Sequence, residues 1–126
     1  MSDIAGRDPT RCINTAESAV TAAVTLLDCP DLNDPEWQVW KGFATGPLAA
    51  ILYATSPAGV GGGIAAARRI AAQPDSGPDG ATWLATAQRC GHNLLAVRLR
   101  RAAELHYRQR HSIKTVMIKA LAAVPC

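Results

Sequence analysis

Aromatic and strand-favouring residues are scarce in this chain of 126 residues. Aromatic side chains make up only 5% of it, whereas apolar residues make up 48% and many of these are alanine. Runs of Val, Ile, Tyr and Phe, which favour strands, are few. Alanine has the highest helix propensity, and a chain of this length needs only one core. The composition therefore predicts an all-α fold, a single-domain bundle of about five to seven helices.

Motifs of common enzyme and metal sites are also lacking. The chain has no HExxH metal motif, no GxSxG nucleophile elbow and no GxxxxGK[ST] phosphate loop, so we interpret Gly61–Gly63 as a connector. The cysteines lie too far apart for a CxxC pair or a zinc knuckle, which predicts reduced structural thiols at Cys12, Cys29, Cys90 and Cys126. We therefore expect a protein that is not an enzyme and that uses no cofactor or metal.

The sequence shows neither an export signal nor a membrane-spanning run. Charged residues recur among the first eleven positions, where a signal peptide would have an uninterrupted apolar stretch. The most apolar stretch, residues 42–56, is shorter than the roughly 20 residues that a spanning helix needs, and it contains Gly46 and Pro47. We expect a cytoplasmic protein in which this stretch forms a core helix.

Apolar periodicity and Gly or Pro breaks predict the organisation of the chain. Residues 1–13 are predicted to be a flexible N-terminal segment, and residues 14–126 a single helical domain with a surface loop at 73–80. The predicted helices start and end near residues 15–27, 35–46, 47–55, 64–72, 83–90, 92–109 and 112–124.

Capping residues set several of these boundaries. Asn14 and Glu17 have the spacing of a capping box, and Asp34, which precedes a proline, has the form of a second N-cap. Pro47 removes a backbone hydrogen bond, so the second helix should kink there or end and restart. We prefer two short helices in series. Ser112 is the predicted cap of the last helix.

Charge is unevenly divided along the chain, although its net value is only +3. Three basic and seven acidic residues occur up to Ile64, whereas ten basic and three acidic residues follow it. The positive second half indicates an anionic partner, nucleic acid first and an acidic protein or lipid surface second. Two alternatives stay open: a solvated basic face, or arginines that pair with the acids of the first half.

The basic segment at residues 89–119 is the candidate binding site. On the predicted helix 92–109, Arg98, Arg101 and Arg108 share a stripe that could neutralise phosphates. Tyr107 could add a stacking surface for an exposed base. The predicted nucleic-acid or partner-binding residues are Arg98, Arg101, Arg108, Arg110, Lys114, Lys119 and Tyr107.

Four segments, taken in order, have the pattern of a known domain. They are the turn DPTRC at 8–12, the pair Trp37 and Trp40, the segment PLAAILYA at 47–54 and the segment RHSIKT at 110–115. In this order they resemble the helical, membrane-distal domain of TraG/TraD-type coupling proteins, the motor ATPases that deliver DNA to type IV secretion channels during conjugation. Arg11 stands where the family's turn has glycine, and the motor's Walker A and Walker B segments are absent.

The resemblance implies a module that selects substrates, contacts a relaxase–DNA complex and sometimes binds DNA itself. The chain would then be a remnant of a longer motor or a stand-alone adaptor in a plasmid or phage-like mobile element, with a coupling-protein motor or a further copy as possible partners. The alternative is a structural homo-oligomer or protein–protein adaptor with no nucleic-acid role. In that case Trp37, Trp40 and Phe43 would contribute to a subunit interface.

Overall fold

The computed structural model describes residues 9–73 and 82–122, and every regular element within these ranges is a helix. Two 3-10 helices, η1 (Pro9–Cys12) and η2 (Pro30–Leu32), accompany six α-helices. These are α1 (Ala16–Leu27), α2 (Pro35–Thr55), α3 (Gly63–Ala71), α4 (Trp83–Arg89), α5 (Asn93–Ala103) and α6 (Tyr107–Ala122). The predicted all-α bundle of five to seven helices is confirmed. Apart from Gln73, the predicted loop at 73–80 lies outside the described residues.

α2 is the central helix and contacts each of the other five α-helices. Its second half, from Ala44 to Thr55, is buried except at the partly exposed Thr45 and Tyr53. A helix that is apolar all round is stable only inside a bundle, and its many small residues let neighbouring helices approach closely. The first half of α2 is exposed over much of its surface, and this difference between the halves positions the candidate site.

Pro47 does not divide α2, so the prediction of two short helices in series is wrong. A proline inside a helix costs about 3 kcal/mol, because it removes one backbone hydrogen bond and crowds the preceding turn. Leu48, Ile51 and Leu52 follow it and are fully buried. Burial of each such side chain contributes about 1.5–3 kcal/mol, so packing on the neighbouring helices outweighs the local cost and keeps α2 continuous.

The cap of α1 lies one residue later than predicted. The Thr15 hydroxyl accepts a hydrogen bond from the Ser18 N–H at 3.0 Å, and the Ser18 hydroxyl accepts one from the Thr15 N–H at 3.1 Å. This reciprocal pair is a capping box, so Thr15 and Ser18 take the roles predicted for Asn14 and Glu17. Asp34 is the N-cap of α2 as predicted, although its side chain forms no capping hydrogen bond.

The predicted helix 92–109 is shorter in the structure, because α5 ends at Ala103 and α6 already begins at Tyr107. Leu105, in the turn between them, packs against the core. The Nδ1 atom of His106 then accepts the Arg108 N–H at 3.3 Å, a capping bond at the start of α6. The prediction that Ser112 caps this helix is therefore wrong. The Ser112 hydroxyl instead donates within α6 to the Arg108 carbonyl at 3.2 Å.

The packed part of the chain includes residues ahead of the predicted domain boundary at 14. Residues 9–12 form η1, which contacts α1, α2 and α3. Thr10 is 1% exposed, and Ile13 is 2% exposed as a member of the hydrophobic core. Residues 1–8 of the predicted flexible segment lie outside the described residues.

The connector before α3 depends on glycine. Gly61, Gly62 and Gly63 all have positive φ angles, and Gly62 at φ +108° is the N-cap of α3. A Cβ at Gly62 would lie 2.7 Å from the Cβ of Ala66 in the first turn of the helix. Only glycine adopts this conformation and leaves room for that approach.

Candidate functional site

The candidate site lies where α5 runs antiparallel along α2. At one end, the ring of His92 packs edge-on against Tyr53, with 5.9 Å between their centroids. About two turns earlier in α2, Arg98 of α5 lies against Gly46. A Cβ at Gly46 would be 3.0 Å from the Cβ and Cδ atoms of Arg98. The missing side chain gives room for the aliphatic stem of Arg98, which remains an exposed residue.

The face of α2 that α5 covers continues beyond the end of α5. Residues three or four apart share a helix face, so Val39 and Phe43 extend the stripe that includes Gly46 and Ala50. Because α5 ends at Ala103, this part of the stripe is open: Val39 is 63% exposed and Phe43 58% exposed. We call Val39, Trp40 and Phe43 the open stripe. Adjoining exposed apolar residues of this kind are typical of a contact surface.

A groove of about 300 Å³ separates Phe43 from the basic side chains of α5. Pro47, Ala102 and Ile113 are buried residues that line its floor, while Arg98 and Arg101 are exposed at its side. We call it the α2–α5 groove, and its lining residues are Gly42, Phe43, Pro47, Arg98, Arg101, Ala102, Leu105 and Ile113. It thus combines an apolar floor with two guanidinium groups.

Neither arginine of the α2–α5 groove, Arg98 or Arg101, forms an ion pair with a carboxylate within residues 9–73 and 82–122, although Glu104 follows Arg101 by three residues. Four of the acidic residues in these ranges lie together between the end of α1 and the first turn of α2, namely Asp28, Asp31, Asp34 and Glu36. The groove therefore offers two exposed positive charges to an anion. The acids of the first half form no ion pair with either arginine among the described residues.

Phe43 is held beside the groove by its neighbour on α2. Its ring centroid lies 5.8 Å from that of Trp40, with 45° between the ring planes. Trp40 is partly buried and packs against the hydrophobic core, so it supports the exposed ring of Phe43 from below. Tilted aromatic pairs at this separation attract each other through their quadrupoles. Phe43 is therefore an exposed aromatic surface with a defined position.

Tyr107 and Arg108 form a separate exposed cluster at the start of α6. The guanidinium carbon of Arg108 lies 6.0 Å from the centroid of the Tyr107 ring, and its Nε donates to the Tyr107 hydroxyl at 3.5 Å. The prediction that Arg108 shares one helical stripe with Arg98 and Arg101 is wrong, because the helix break after Ala103 assigns it to α6. Neither residue of the cluster lines the α2–α5 groove.

The other three predicted residues lie along α6, and each is partly buried: Arg110, Lys114 and Lys119. Successive residues turn by about 100° around an α-helix, so Arg110 and Lys114 share one flank of α6 while Lys119 lies on the other. The Nζ atom of Lys119 is 5.8 Å from the centroid of the Trp37 ring, a cation–π contact. Of the seven predicted residues, Arg98 and Arg101 are the two that line the α2–α5 groove.

Neither a metal-ligand cluster nor a membrane-spanning helix occurs in the described part of the chain. There, no group of three or more His, Cys, Asp or Glu side chains could hold a metal ion. No α-helix within residues 9–73 and 82–122 has both the length and the apolar character needed to cross a membrane.

The chain matches no protein-family model, no curated protein and no solved structure. Its function must therefore be inferred from the charge, exposure and shape of the site.

Sequence reasoning missed the apolar members of the groove. It offered Phe43 only as part of a subunit interface, and it gave no binding role to Pro47 or Leu105. A usable signal is Gly46 on α2, because a glycine inside a helix indicates close approach of another element, here Arg98. The groove itself could not be predicted without knowing where α5 ends.

Proposed function

We propose that the chain is a non-catalytic DNA-binding module whose α2–α5 groove holds the phosphates of nucleic acid. The observation that carries this proposal is the pair Arg98 and Arg101, which are exposed, line one groove and have no carboxylate partner among the described residues. Arginine presents a planar fork of donors that fits phosphate oxygens. Neutralising two phosphates also releases counterions, which favours binding at low salt.

The resemblance of the sequence to the helical domain of TraG/TraD-type coupling proteins supports the same class of partner. On this basis we propose that the module acts in the cytoplasm during conjugative DNA transfer, at a relaxase–DNA complex or beside a coupling-protein motor. An all-α bundle is compatible with that domain, but many unrelated functions share this fold class. The groove, rather than the fold, therefore carries the proposal.

Fluorescence anisotropy of labelled DNA, titrated with the purified chain at low and moderate salt, tests the proposal. The double variant Arg98→Glu/Arg101→Glu should lose binding and keep its helical circular dichroism, because both side chains are exposed. The matched control is Arg89→Glu/Arg100→Glu, which changes the net charge equally at exposed positions outside the groove and should retain most of the affinity. Arg108→Glu tests the cluster on α6 separately.

The salt dependence gives a quantitative form of the same test. If Arg98 and Arg101 each neutralise one phosphate of a single strand, replacing both by alanine should reduce the slope of log affinity against log salt by about 1.4. Equal losses in the groove variant and in the matched control would contradict a specific site and indicate diffuse attraction. No binding at low salt by the unmodified chain would refute DNA binding and leave an acidic protein as the partner to be sought.

The open stripe favours a second candidate function, that of a homo-oligomer. Val39 and Phe43 are large apolar residues that face solvent next to the partly exposed Trp37 and Trp40. A subunit interface there predicts a mass and a melting temperature that rise with protein concentration. Val39→Glu should then abolish self-association. A monomeric mass at all concentrations in analytical ultracentrifugation would exclude this alternative.

A further inference from the structure

We infer that the α2–α5 groove takes an unpaired base as well as phosphates, so that its ligand is single-stranded nucleic acid. In this arrangement one base stacks on Phe43 while Arg98 and Arg101 contact the phosphates of the same strand. The inference rests on the proposed function and adds its substrate class. It predicts discrimination between single and double strands, which phosphate contacts alone do not provide.

The apolar floor of the groove is the first observation behind this inference. Pro47, Ala102 and Ile113 are buried residues that offer carbon surface and no polar side-chain atom. A phosphate bound by the two arginines would remain hydrated at its rim and would gain nothing from this surface. A nucleobase, in contrast, has an apolar face that is stabilised when water is removed from both sides.

Phe43 supplies the second observation, because it is an aromatic ring at the mouth of a basic groove. It is 58% exposed, and Trp40 supports it from the core side at a centroid distance of 5.8 Å. Single-strand-binding proteins combine a basic track with aromatic rings on which bases stack, and every base has a face that suits such a ring. Since the arginines are the only hydrogen-bonding side chains among the described residues that line the groove, binding should depend little on base identity.

Duplex DNA cannot use the apolar floor or the ring of Phe43. Its bases are stacked on each other and present only their edges in the grooves, so no ring face is available to Phe43. A duplex would still contact Arg98 and Arg101 through its phosphates, but the apolar floor and the aromatic ring would stay empty. The groove should therefore bind a single strand more tightly than a duplex once their charges are matched.

A second copy of the chain fits the groove less well than an anion does. In a twofold interface the same patch on both copies comes together. Contact centred on the groove would bring Arg98 and Arg101 of one copy close to the same residues of the other, and like charges at short range repel. Charge complementarity thus favours an anionic strand as the occupant.

The test compares three fluorescent ligands of equal length: oligothymidine, an abasic deoxyribose-phosphate strand and a duplex. Oligothymidine should bind at least about fivefold more tightly than the abasic strand, because stacking of one base supplies the difference. Phe43→Ala should reduce oligothymidine binding to the abasic level and leave the affinities for the abasic strand and the duplex unchanged. The matched control Val24→Ala removes a similarly exposed side chain, 53% exposed on α1 and outside both the groove and the open stripe, and should change none of the three affinities.

A further variant keeps the inference testable if Phe43→Ala alters the fold. Phe43→Leu retains apolar bulk without the aromatic ring, and it should lose the preference for oligothymidine while its circular dichroism and melting temperature are retained. Equal affinities of the unmodified chain for oligothymidine and the abasic strand would overturn base stacking, and the phosphate-binding proposal would survive. Failure of all three ligands to bind at low salt would overturn both.

Discussion

Replacing Trp83 by phenylalanine should reduce the free energy of unfolding by about 2–4 kcal/mol. Trp83 is fully buried at the start of α4, and its indole N–H donates at 3.3 Å to the carbonyl oxygen of Ala71, the last residue of α3. The last four carbonyl groups of a helix have no partner inside it, so this bond caps α3 from a different element. It also links the two ends of the segment between α3 and α4.

The magnitude follows from two separate losses. Phenylalanine cannot donate to the Ala71 carbonyl, and a buried acceptor left without its partner costs about 1–3 kcal/mol. Phenylalanine is also smaller than tryptophan, and the space it leaves in a close-packed core adds about 1 kcal/mol. A domain of ordinary stability has only about 5–15 kcal/mol in total, so a loss of this size is readily measured.

Urea unfolding followed by far-ultraviolet circular dichroism provides the assay. The matched control is Trp37→Phe, because Trp37 is only partly buried and its ring contacts Lys119 at the edge of the core. The control should cost less than about 1 kcal/mol, and the slope of free energy against urea should be the same in all three proteins. Equal costs for the two variants would refute the reasoning that the Trp83 hydrogen bond stabilises the contact between α3 and α4.

Two further predictions concern backbone strain and pH. Gly62→Ala should destabilise the domain by more than Gly91→Ala, for which about 1–2 kcal/mol is expected from the left-handed conformation alone. Both glycines have positive φ, but of the two only Gly62 would bring its new Cβ within 4 Å of another atom, the Ala66 Cβ at 2.7 Å. Equal losses in the free energy of unfolding, measured in urea, would contradict this close approach. The domain should also lose stability as the pH rises above 9.0, the ordinary pKa of a cysteine thiol. Burial raises the pKa of the Cys90 thiol, and this effect is larger than the lowering by a backbone hydrogen bond at His92. The unfolded chain then releases the thiol proton at a lower pH than the folded chain. Cys90→Ala should therefore reduce the loss of stability measured above pH 9.0, and an identical pH dependence would contradict the assignment to Cys90.

Much of the helical organisation could be predicted from local sequence signals. The starts of α2 at Pro35 and of α4 at Trp83 agree with the prediction, and α1 and α3 begin within one residue of it. Gly91, which follows α4, has the positive φ of +80° expected of a glycine at a helix end. These signals are local because a cap or a glycine acts within one turn of the chain.

The two largest errors in the helices, at Pro47 and after Ala103, come from interactions that a local pattern does not contain. The continuity of α2 across Pro47 depends on the core that forms around Leu48, Ile51 and Leu52. The break after Ala103 depends on Leu105 turning toward the core and on the His106 ring as a cap, a role in which histidine is not among the preferred residues. Tertiary packing decides both cases.

Only part of the candidate site could be predicted, because the rest also depends on tertiary packing. Charge along the chain indicated the basic segment that contains Arg98 and Arg101, and both prove to be exposed. Their association with Phe43 needs α5 to lie antiparallel to α2 and to end at Ala103, where it leaves the open stripe uncovered. Arg108 was predicted to share a helix face with Arg101 and does not. A spacing of seven residues indicates a shared face only where one helix continues, and α5 ends at Ala103.

An amide NMR titration of the chain with oligothymidine would test the central claim most directly, that the α2–α5 groove is the nucleic-acid site. We expect saturable chemical-shift changes that cluster at Phe43, Arg98 and Arg101 and that are small along the exposed face of α1. Changes confined to Tyr107 and the residues of α6, or no saturable change at low salt, would contradict the assignment of the groove.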